Sequence, residues 1–307
     1  MQRYILKRFI QAVITVLLMS IIVFLLVRST GNPAVFLVGD YATDEDIARI
    51  TEQLGLDRPL PEQYRIFLSN ALKGDLGRSV TGDRKPVVQI ILSRLPASLQ
   101  LAGVALLVSV LVGLPLGVLA ARKKGSFLDT SARVLALLGQ SVPPFWLGIV
   151  LMYAFAVWLH LLPTSGFGGI KYFILPAITM STVCVAAITR LTRSSMLDVL
   201  NLEYIKLARI KGLSERVVIW KHVLRNSLIP VVTFIGQFLP TMITGAMVIE
   251  AVFSWPGIGS LAYDAAMYRD YPVLQGIVLF ITVLFVFCNL VVDILYAYLD
   301  PRIRYTK

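Results

Sequence analysis

The chain has 307 residues, of which 57% are hydrophobic and only 15% are charged, and its formal net charge is +11. A soluble domain is about half apolar with about a quarter of its residues charged, so this composition argues against a water-soluble fold and for apolar surface that faces lipid. A strong positive charge would suggest nucleic-acid binding in a soluble protein, but in a membrane protein it reports orientation, because Lys and Arg collect in cytoplasmic loops.

Six stretches without Asp, Glu, Lys or Arg are long enough, or nearly so, to cross a bilayer. About 20 apolar residues are needed, because the hydrocarbon core is about 30 Å thick and a helix rises about 1.5 Å per residue. Backbone polar groups in lipid must be paired internally, which favours helices. We therefore predict an all-α membrane protein with six transmembrane helices, over residues 9–27, 99–121, 134–162, 172–189, 226–249 and 271–292.

The first stretch lies where a signal peptide would lie, but its apolar run is longer than a typical signal-peptide core. No small-residue cleavage site follows it. We therefore interpret residues 9–27 as a retained helix.

The basic residues lie in alternate loops of this arrangement. They precede helix 1, separate helices 2 and 3, are concentrated between helices 4 and 5, and follow helix 6, whereas the short loops on the opposite side carry only Lys171 and Arg269. This alternation predicts that both termini are cytoplasmic and that the number of crossings is even. Pro143 and Pro144 interrupt the third stretch, which is compatible with two half-helices, but the alternation favours one net crossing with a kink at the prolines.

Residues 28–97 form the one sizeable water-facing segment, on the outer side, with nine basic and nine acidic residues. We predict that it forms a small helical cap, since it is too small for an enzyme domain with its own cleft. Its three predicted helices run from Thr43 to about Gly55, from Pro61 as the first helical residue to about Gly74, and from Pro86 to Leu95, the last entering helix 2 at Pro96.

These predictions divide the chain into three parts. Residues 1–97 hold the N-terminal helix and the extracytoplasmic segment, residues 98–300 hold five transmembrane helices, and residues 301–307 form a cytoplasmic tail.

The basic loop at about residues 198–226 has the most informative pattern. Tyr204, Leu207, Ala208 and Lys211 recur at spacings of three and four, which indicates one face of a helix. Gly212 permits the left-handed conformation that ends a helix, and the following Ser214 suits the N-cap of a second helix. The pattern predicts a basic helical hairpin, whose shape suits docking into a groove of another protein. A solvated basic loop that only fixes topology is the alternative, and composition alone favours it.

Several segments, in order, resemble one transporter family. ARIKGL at 208–213, with HVLRN at 222–226 and LIP at 228–230, is similar to the coupling-loop motif of ABC importer permeases, and specifically to the dipeptide, oligopeptide and nickel permease family. Further similar segments, which extend the resemblance over almost the whole chain, are GDLG at 74–77, RSSMLD at 193–198, FSWPGIG at 253–259, RDYPV at 269–273, NLVVD at 289–293 and DPRIR at 300–304. The general coupling motif begins Glu-Ala-Ala, whereas residues 206–208 here are KLA, so only Ala208 and Gly212 match it.

The resemblance implies a type I ABC importer permease fold in a bacterial or archaeal inner membrane. It implies four kinds of partner: membrane lipid, a second homologous permease subunit, two ATP-binding subunits or domains, and an extracytoplasmic solute-binding protein, with no nucleic acid. The chain has no G-x-x-x-x-G-K-[ST] phosphate loop, so we expect no enzyme activity or cofactor in it, and ATP and Mg to be bound by the partner ATPases. The residues that the resemblance and the hairpin pattern assign to ATPase coupling are Tyr204, Leu207, Ala208, Arg209, Lys211, Gly212 and Leu213.

Met242, Met247 and Glu250, in and just after the fifth stretch, are candidate residues of the translocation pathway or its gate. An ionised carboxylate at mid-membrane costs about 2.5–3.5 kcal/mol, so it tends to face a cavity or a partner, and methionine adapts its shape readily. A structural ion pair for Glu250 and core packing for the methionines are the commoner explanations. We predict no metal site, because His160 and His222 are far apart and no CxxC spacing occurs.

Two other function classes compete with this interpretation. An ion-coupled secondary transporter would show inverted repeats with broken helices, and Pro143-Pro144 has no evident counterpart. An intramembrane enzyme would need clustered reactive side chains, which the spans lack. For the substrate, small di- or oligopeptides are favoured, and nickel, a nickel chelate or glutathione remain alternatives.

Overall fold

The computed structural model describes residues 2–29, 43–53, 55–81 and 84–299. Within these ranges the regular structure is helical, apart from an isolated bridge between Arg78 and Pro86. The chain divides into two compact units, a terminal unit (residues 1–98 and 256–307) and a central unit (residues 99–255). The predicted tail at 301–307 lies outside the described residues.

The described residues form a series of helices, several of them longer than 20 residues. In chain order they are α1 (Gln2–Ser29), α2 (Asp44–Gln53), α3 (Leu60–Leu72), α4 (Val87–Arg122), α5 (Phe127–Ser141), α6 (Pro144–Met152), α7 (Ile170–Leu200), α8 (Glu203–Ile210), α9 (Glu215–Val217), α10 (Leu224–Gly245), α11 (Met247–Val252), α12 (Ile258–Met267) and α13 (Tyr271–Leu299). A π-helical turn at Tyr153–Trp158 extends α6, and another at Val218–Val223 joins α9 to α10.

Five helical runs among the described residues are long and apolar enough to cross a membrane. They are α1, α4, α7, the continuous run Glu215–Gly245 and α13. The pair formed by α5 and the extended α6 makes a sixth crossing if it is one broken span. The prediction of an all-α membrane protein is confirmed.

The chain bends more sharply at Pro143-Pro144, within the third predicted stretch, than the predicted kink. The two helices, Phe127–Ser141 and Pro144–Trp158, are bent by 102°. Val142 has an extended backbone (ψ 125°), as residues before proline prefer, and Pro143 is extended in turn before Pro144 begins α6. Two consecutive prolines therefore stop one helix and start the next.

The segment before α4 differs from its prediction in two places. Residues 87–95 are not a separate helix, because α4 continues through Pro96 for 36 residues. A single proline removes one hydrogen bond, which a long apolar helix tolerates. Pro61 is the second residue of α3, not the first, because the helix begins at Leu60. Gly55 and Gly74 adopt positive φ values of 63° and 81° where α2 and α3 were predicted to end.

In the terminal unit α1 packs along α13. Arg8 and Asp293 form an ion pair of 3.2 Å between these two helices. The unit's core joins the start of α4 to α12 and α13, through Val87, Ile91, Ile258, Ala262, Ala265, Val273 and Ile277.

In the central unit α5, α6 and α10 all pack on α7. α4 also approaches α7 closely, because a Cβ added at Gly117 would lie 2.6 Å from Thr192 Cβ. The hydroxyl of Thr189 donates to the carbonyl of Gly113 over 3.2 Å. The Gly113–Gly117 pair is thus a contact of small residues between helices.

Candidate functional site

The loop after α7 is a hairpin of two helices around Gly212. Gly212 has φ 77°, its N–H donates to the carbonyl of Arg209 (2.9 Å), and the N–H of Leu213 donates to the carbonyl of Ala208 (3.3 Å). These two bonds form a Schellman motif that ends α8. The predicted helix–glycine–helix arrangement is confirmed. Ser214 stands at the N-cap of α9 with an extended backbone, but its side chain makes no capping hydrogen bond, contrary to the prediction.

One face of the hairpin is anchored in the core of the central unit. Ile205 and Ala208 are buried, at 0% and 8% exposure. They belong to a cluster that also contains Val118, Ala121, Met196, Val218, Ile219, Val223 and Leu224. Ala208 therefore packs inward, away from the exposed Tyr204 and Leu207 with which the spacing had grouped it. A helical step of four residues turns about 40° past a full turn, which moves Ala208 to the edge of that face.

Six apolar side chains of the hairpin are exposed. They are Tyr204, Leu207, Ile210, Leu213, Val217 and Trp220, with Ile210 at 80% and Trp220 at 57% exposure. Exposed Lys206, Lys211 and Lys221 lie among them in sequence. We call this set of six side chains the apolar face of the hairpin. Several large exposed apolar side chains in one short segment, with charged residues between them, are typical of a protein or membrane contact.

Polar contacts brace the hairpin. Arg209 Nε is 2.7 Å from Glu215 Oε1, across the Gly212 turn. The side-chain amide of Asn226 donates to the hydroxyl of Tyr204 over 2.8 Å. Exposed ion pairs contribute about 0–1 kcal/mol, so the buried anchor supplies most of the hairpin's stability.

A buried carboxylate ties the end of α7 that precedes the hairpin to the start of α5. Asp129, 1% exposed on its side chain, accepts hydrogen bonds from Arg193 Nε (2.5 Å) and Nη2 (2.8 Å). It also accepts from the N–H of Gly125 (3.0 Å), while its own N–H donates to Ser126 Oγ (3.4 Å). A bidentate arginine pair of this kind is strong and fixed in orientation.

The candidate pathway residues do not share one surface. Met242 is buried and Met247 is exposed. Glu250 is fully buried in α11 and has an interaction partner. Its backbone carbonyl accepts a hydrogen bond from the N–H of Trp255 (2.8 Å). Trp255 packs edge-on against Phe167 and Phe173, with ring centroids 4.9 and 4.6 Å away. Glu250 thus lies in a packed aromatic region of the central unit.

In the terminal unit, Asp270 joins two segments that are far apart in the chain. Its Oδ2 accepts hydrogen bonds from the hydroxyls of Ser79 and Thr81 (2.9 Å for Thr81) and from the N–H of Val80 (3.2 Å). Its Oδ1 accepts from the N–H of Val273 (3.3 Å) and so caps the start of α13. The residues that follow the GDLG segment are therefore neighbours of the RDYPV segment in space.

Two family models together match nearly the whole chain. "Binding-protein-dependent transport system inner membrane component" matches residues 113–305, and the N-terminal model of the same membrane components matches residues 1–102. The chain belongs to this permease family. The predicted resemblance is confirmed, and the permease is a multi-pass inner-membrane component of ABC importers.

Curated relatives of the permease match it end to end. It is 40% identical to the probable peptide ABC transporter permease protein y4tP of Sinorhizobium fredii, over 98% of this chain and 99% of that one. It is 38% identical to the oligopeptide transport system permease protein AppB of Bacillus subtilis, over 99% and 100%. It is 41% identical to the glutathione transport system permease protein GsiC of Salmonella typhimurium, over 99% and 100%.

Solved structures show the same fold. A chain of the MetNI methionine ABC transporter in an inward-facing conformation matches with a TM-score of 0.57 and 16% identity, over 69% of this permease and 97% of that chain. A chain of an amino acid ABC transporter matches with a TM-score of 0.53 and 13% identity, over 68% and 94%. The predicted type I ABC importer permease fold is confirmed.

Sequence reasoning overlooked three features of the permease. Ile210, Val217 and Trp220 were not grouped with the coupling residues, although apolar side chains in a basic loop are themselves a signal. The Asp129–Arg193 and Ser79–Asp270 contacts join residues 64 and 191 positions apart, and no local pattern marks such pairs.

Proposed function

We propose that this permease passes small peptides, including tripeptides such as glutathione, and receives the work of transport through the hairpin at residues 203–226. Full-length relatives about 40% identical are named as peptide, oligopeptide and glutathione permeases, which supports this substrate class. These compounds share amide bonds and charged termini, so one type of pathway suits all of them.

The observation that carries the coupling proposal is the apolar face of the hairpin. Leu207, Ile210 and Trp220 are exposed, while Ile205, in the same helix as Leu207 and Ile210, is fully buried. A rigid helix with one face anchored and the other face apolar and exposed suits a groove on a partner protein. In an ABC importer the partner for a cytoplasmic hairpin is an ATP-binding subunit, which would hold the ATP and Mg.

The hairpin is well placed to pass motion into the membrane-spanning helices. It continues directly from α7 and leads through the π-helical turn into α10. Asp129 and Arg193 add a link from α7 to α5. Concentrating a solute costs about 1.4 kcal/mol per tenfold gradient, which ATP hydrolysis in the partner would supply. A second permease and an extracytoplasmic binding protein complete the proposed importer, and the alternation of basic loops supports the proposal that both termini are cytoplasmic.

The coupling proposal is tested in proteoliposomes that hold the assembled importer and its binding protein. The double variant Leu207→Asp/Ile210→Asp should insert normally but lose ATP-dependent peptide uptake and no longer copurify with the ATPase subunits. The matched control Leu207→Met/Ile210→Val keeps the face apolar and should keep uptake. Normal uptake by the aspartate variant would refute the coupling assignment.

The substrate is tested separately on the cognate binding protein. A thermal shift with di- and tripeptides and glutathione, and none with nickel or nickel chelates, is the expected result. Stabilisation by a nickel chelate alone would exclude peptides. Uptake that persists without ATP and follows an ion gradient would instead indicate a secondary transporter.

A further inference from the structure

The central unit has two adjoining cavities along α5 and α7, which together we call the α5–α7 groove. The first, of about 310 Å³, is lined by Ala132, Arg133, Ala136, Leu137, Thr189, Arg190, Arg193 and Ser194. The second, of about 260 Å³, shares Ala132, Ala136 and Thr189 with the first and extends to α4. Neither cavity contains a residue of the hairpin, so the groove is separate from the proposed coupling surface.

One end of the groove is basic. Arg133, Arg190 and Arg193 all line the first cavity. Asp129 compensates one of these charges, through its bidentate bond to Arg193 and a longer ion pair with Arg133 (3.7 Å), whereas Arg190 donates to the neutral amide of Gln140 over 2.8 Å. Three guanidinium groups around one carboxylate leave two positive charges at this end of the groove. Arginine is well suited to binding a phosphate group there.

The other end of the groove is apolar. The second cavity is lined on α4 by Val108, Val112 and Leu116, one helical turn apart, and on α5 and α7 by Leu135, Ile178 and Val185, with small residues between them. Val112, Leu135 and Ile178 are well exposed, so this part of the groove opens at the surface of the described chain. Its hydroxyl groups are already hydrogen-bonded, those of Ser181 and Thr182 to a carbonyl of their own helix and that of Thr189 to the carbonyl of Gly113.

The direction of the groove agrees with the orientation of a lipid. α5 runs from Arg133 to Gly139 away from the basic loop, and α7 runs from Ile178 to Arg193 towards it. With the basic loops on the cytoplasmic side, the arginines lie at the level of the inner headgroups. The apolar end then lies at the depth of the acyl chains of the same leaflet.

We propose that the α5–α7 groove binds an anionic phospholipid of the inner leaflet, with its phosphate at Arg133 and Arg190 and one acyl chain along Val112, Leu135 and Ile178. Charge complementarity decides for an anionic lipid, because basic pockets between transmembrane helices on the cytoplasmic side suit such headgroups. This site does not depend on the identity of the transported solute. A bound lipid would stabilise the contact between α5 and α7, which the Asp129–Arg193 pair also maintains.

The test uses the purified importer complex that contains this chain. Native mass spectrometry and titration with phosphatidylglycerol and phosphatidylcholine measure retention and affinity, and phosphatidylglycerol with a photoreactive acyl chain maps the site. Wild type should retain phosphatidylglycerol preferentially and crosslink within residues 108–116 or 178–189. Arg133→Gln/Arg190→Gln should weaken phosphatidylglycerol binding about 25-fold, since each basic residue near the membrane surface contributes about 1 kcal/mol.

Two further variants separate this site from general charge effects. Arg122→Gln/Lys124→Gln removes two neighbouring exposed charges that do not line the groove, and should weaken phosphatidylglycerol binding clearly less than Arg133→Gln/Arg190→Gln does. Val112→Trp fills the apolar end and should reduce lipid crosslinking without changing the charge. The proposal fails if the Arg133/Arg190 and Arg122/Lys124 double variants weaken binding equally, or if Val112→Trp has no effect. It also fails if inorganic phosphate or a transported peptide occupies the arginines equally well, or if crosslinks show that the second permease covers the groove.

Discussion

Close approach of α4 to α7 depends on the absence of a side chain at two glycines. A Cβ at Gly117 would lie 2.6 Å from Thr192 Cβ and 2.8 Å from the carbonyl oxygen of Thr189. At Gly113 the nearest atoms would be 3.0 Å away, on Ile188 and on the carbonyl of Val185. Backbone atoms cannot move aside as the end of a flexible side chain can, so the tighter position is the more sensitive one.

We therefore expect Gly117→Ala to destabilise the permease by about 1–3 kcal/mol, the usual range for forcing extra atoms into a packed contact. Thermal unfolding of the purified protein in detergent measures the change.

The matched control for this substitution is Gly103→Ala in the same helix. Nothing lies within 4 Å of a Cβ at Gly103, and alanine favours the helix by about 1 kcal/mol over glycine. Gly103→Ala should therefore be neutral or stabilising. Equal destabilisation by both substitutions would contradict the close contact at Gly117.

At the scale of single elements, the hairpin depends on the turn at Gly212. This residue has φ 77° and no atom within 4 Å of a built Cβ, so a side chain there meets backbone strain but no clash. A left-handed conformation costs a non-glycine residue about 1–2 kcal/mol, and asparagine less than most. Gly212→Ala should therefore loosen α8 without unfolding the rest of the permease.

The expected result for Gly212→Ala is a several-fold loss of ATP-driven uptake, a smaller loss for Gly212→Asn, and faster hydrogen exchange confined to residues 203–223. Gly74→Ala serves as the control, because Gly74 has φ 81° and equally open surroundings in the turn after α3. It should carry a similar backbone penalty without the loss of uptake. Identical uptake by Gly212→Ala and wild type would show that the hairpin need not be rigid.

The sequence predicted elements better than it predicted which side of an element is buried. The glycine at 212 and the apolar runs identified the hairpin and the spans, because these signals are local. Ala208 was grouped with Tyr204 by spacing, but it packs inward because a cluster from α4, α7 and the π-helical turn lies on that side. Only the fold brings those residues together. In the same way, the two prolines predicted a break between α5 and α6, but not its angle of 102°.

At the scale of the whole molecule, most of the features that the sequence did not predict are contacts between segments that are far apart in the chain. Asp270 caps α13 and also holds the loop at Ser79–Thr81 within the terminal unit. Asp129 both completes the start of α5 and pairs with Arg193 in the central unit. Each carboxylate joins two segments, and in each case only one of the two, RDYPV at 269–273 or RSSMLD at 193–198, had been noted as a family motif. Motif recognition thus identified the family before it identified the contacts.

The number of crossings is the whole-molecule property on which the coupling proposal depends. If the broken pair α5–α6 crosses the membrane, the loop at Phe167 lies outside and the hairpin at Leu213 lies in the cytoplasm. If the pair instead re-enters the side from which it started, α7 carries the hairpin to the outside, where no ATPase can reach it. Phe167 and Leu213 are both exposed, which makes them suitable sites for labelling.

We expect Phe167→Cys in intact cells to react with a membrane-impermeant maleimide, and Leu213→Cys to react only after permeabilisation. Both variants are made in a background in which the native Cys184 and Cys288 are replaced by alanine. Val217, like Leu213, comes after the turn at Gly212. Val217→Cys should therefore show the same labelling pattern as Leu213→Cys. Labelling of Leu213→Cys from outside would exclude a six-crossing arrangement with cytoplasmic termini and the coupling proposal together, because an apolar face outside the cell has no ATP-binding subunit to contact.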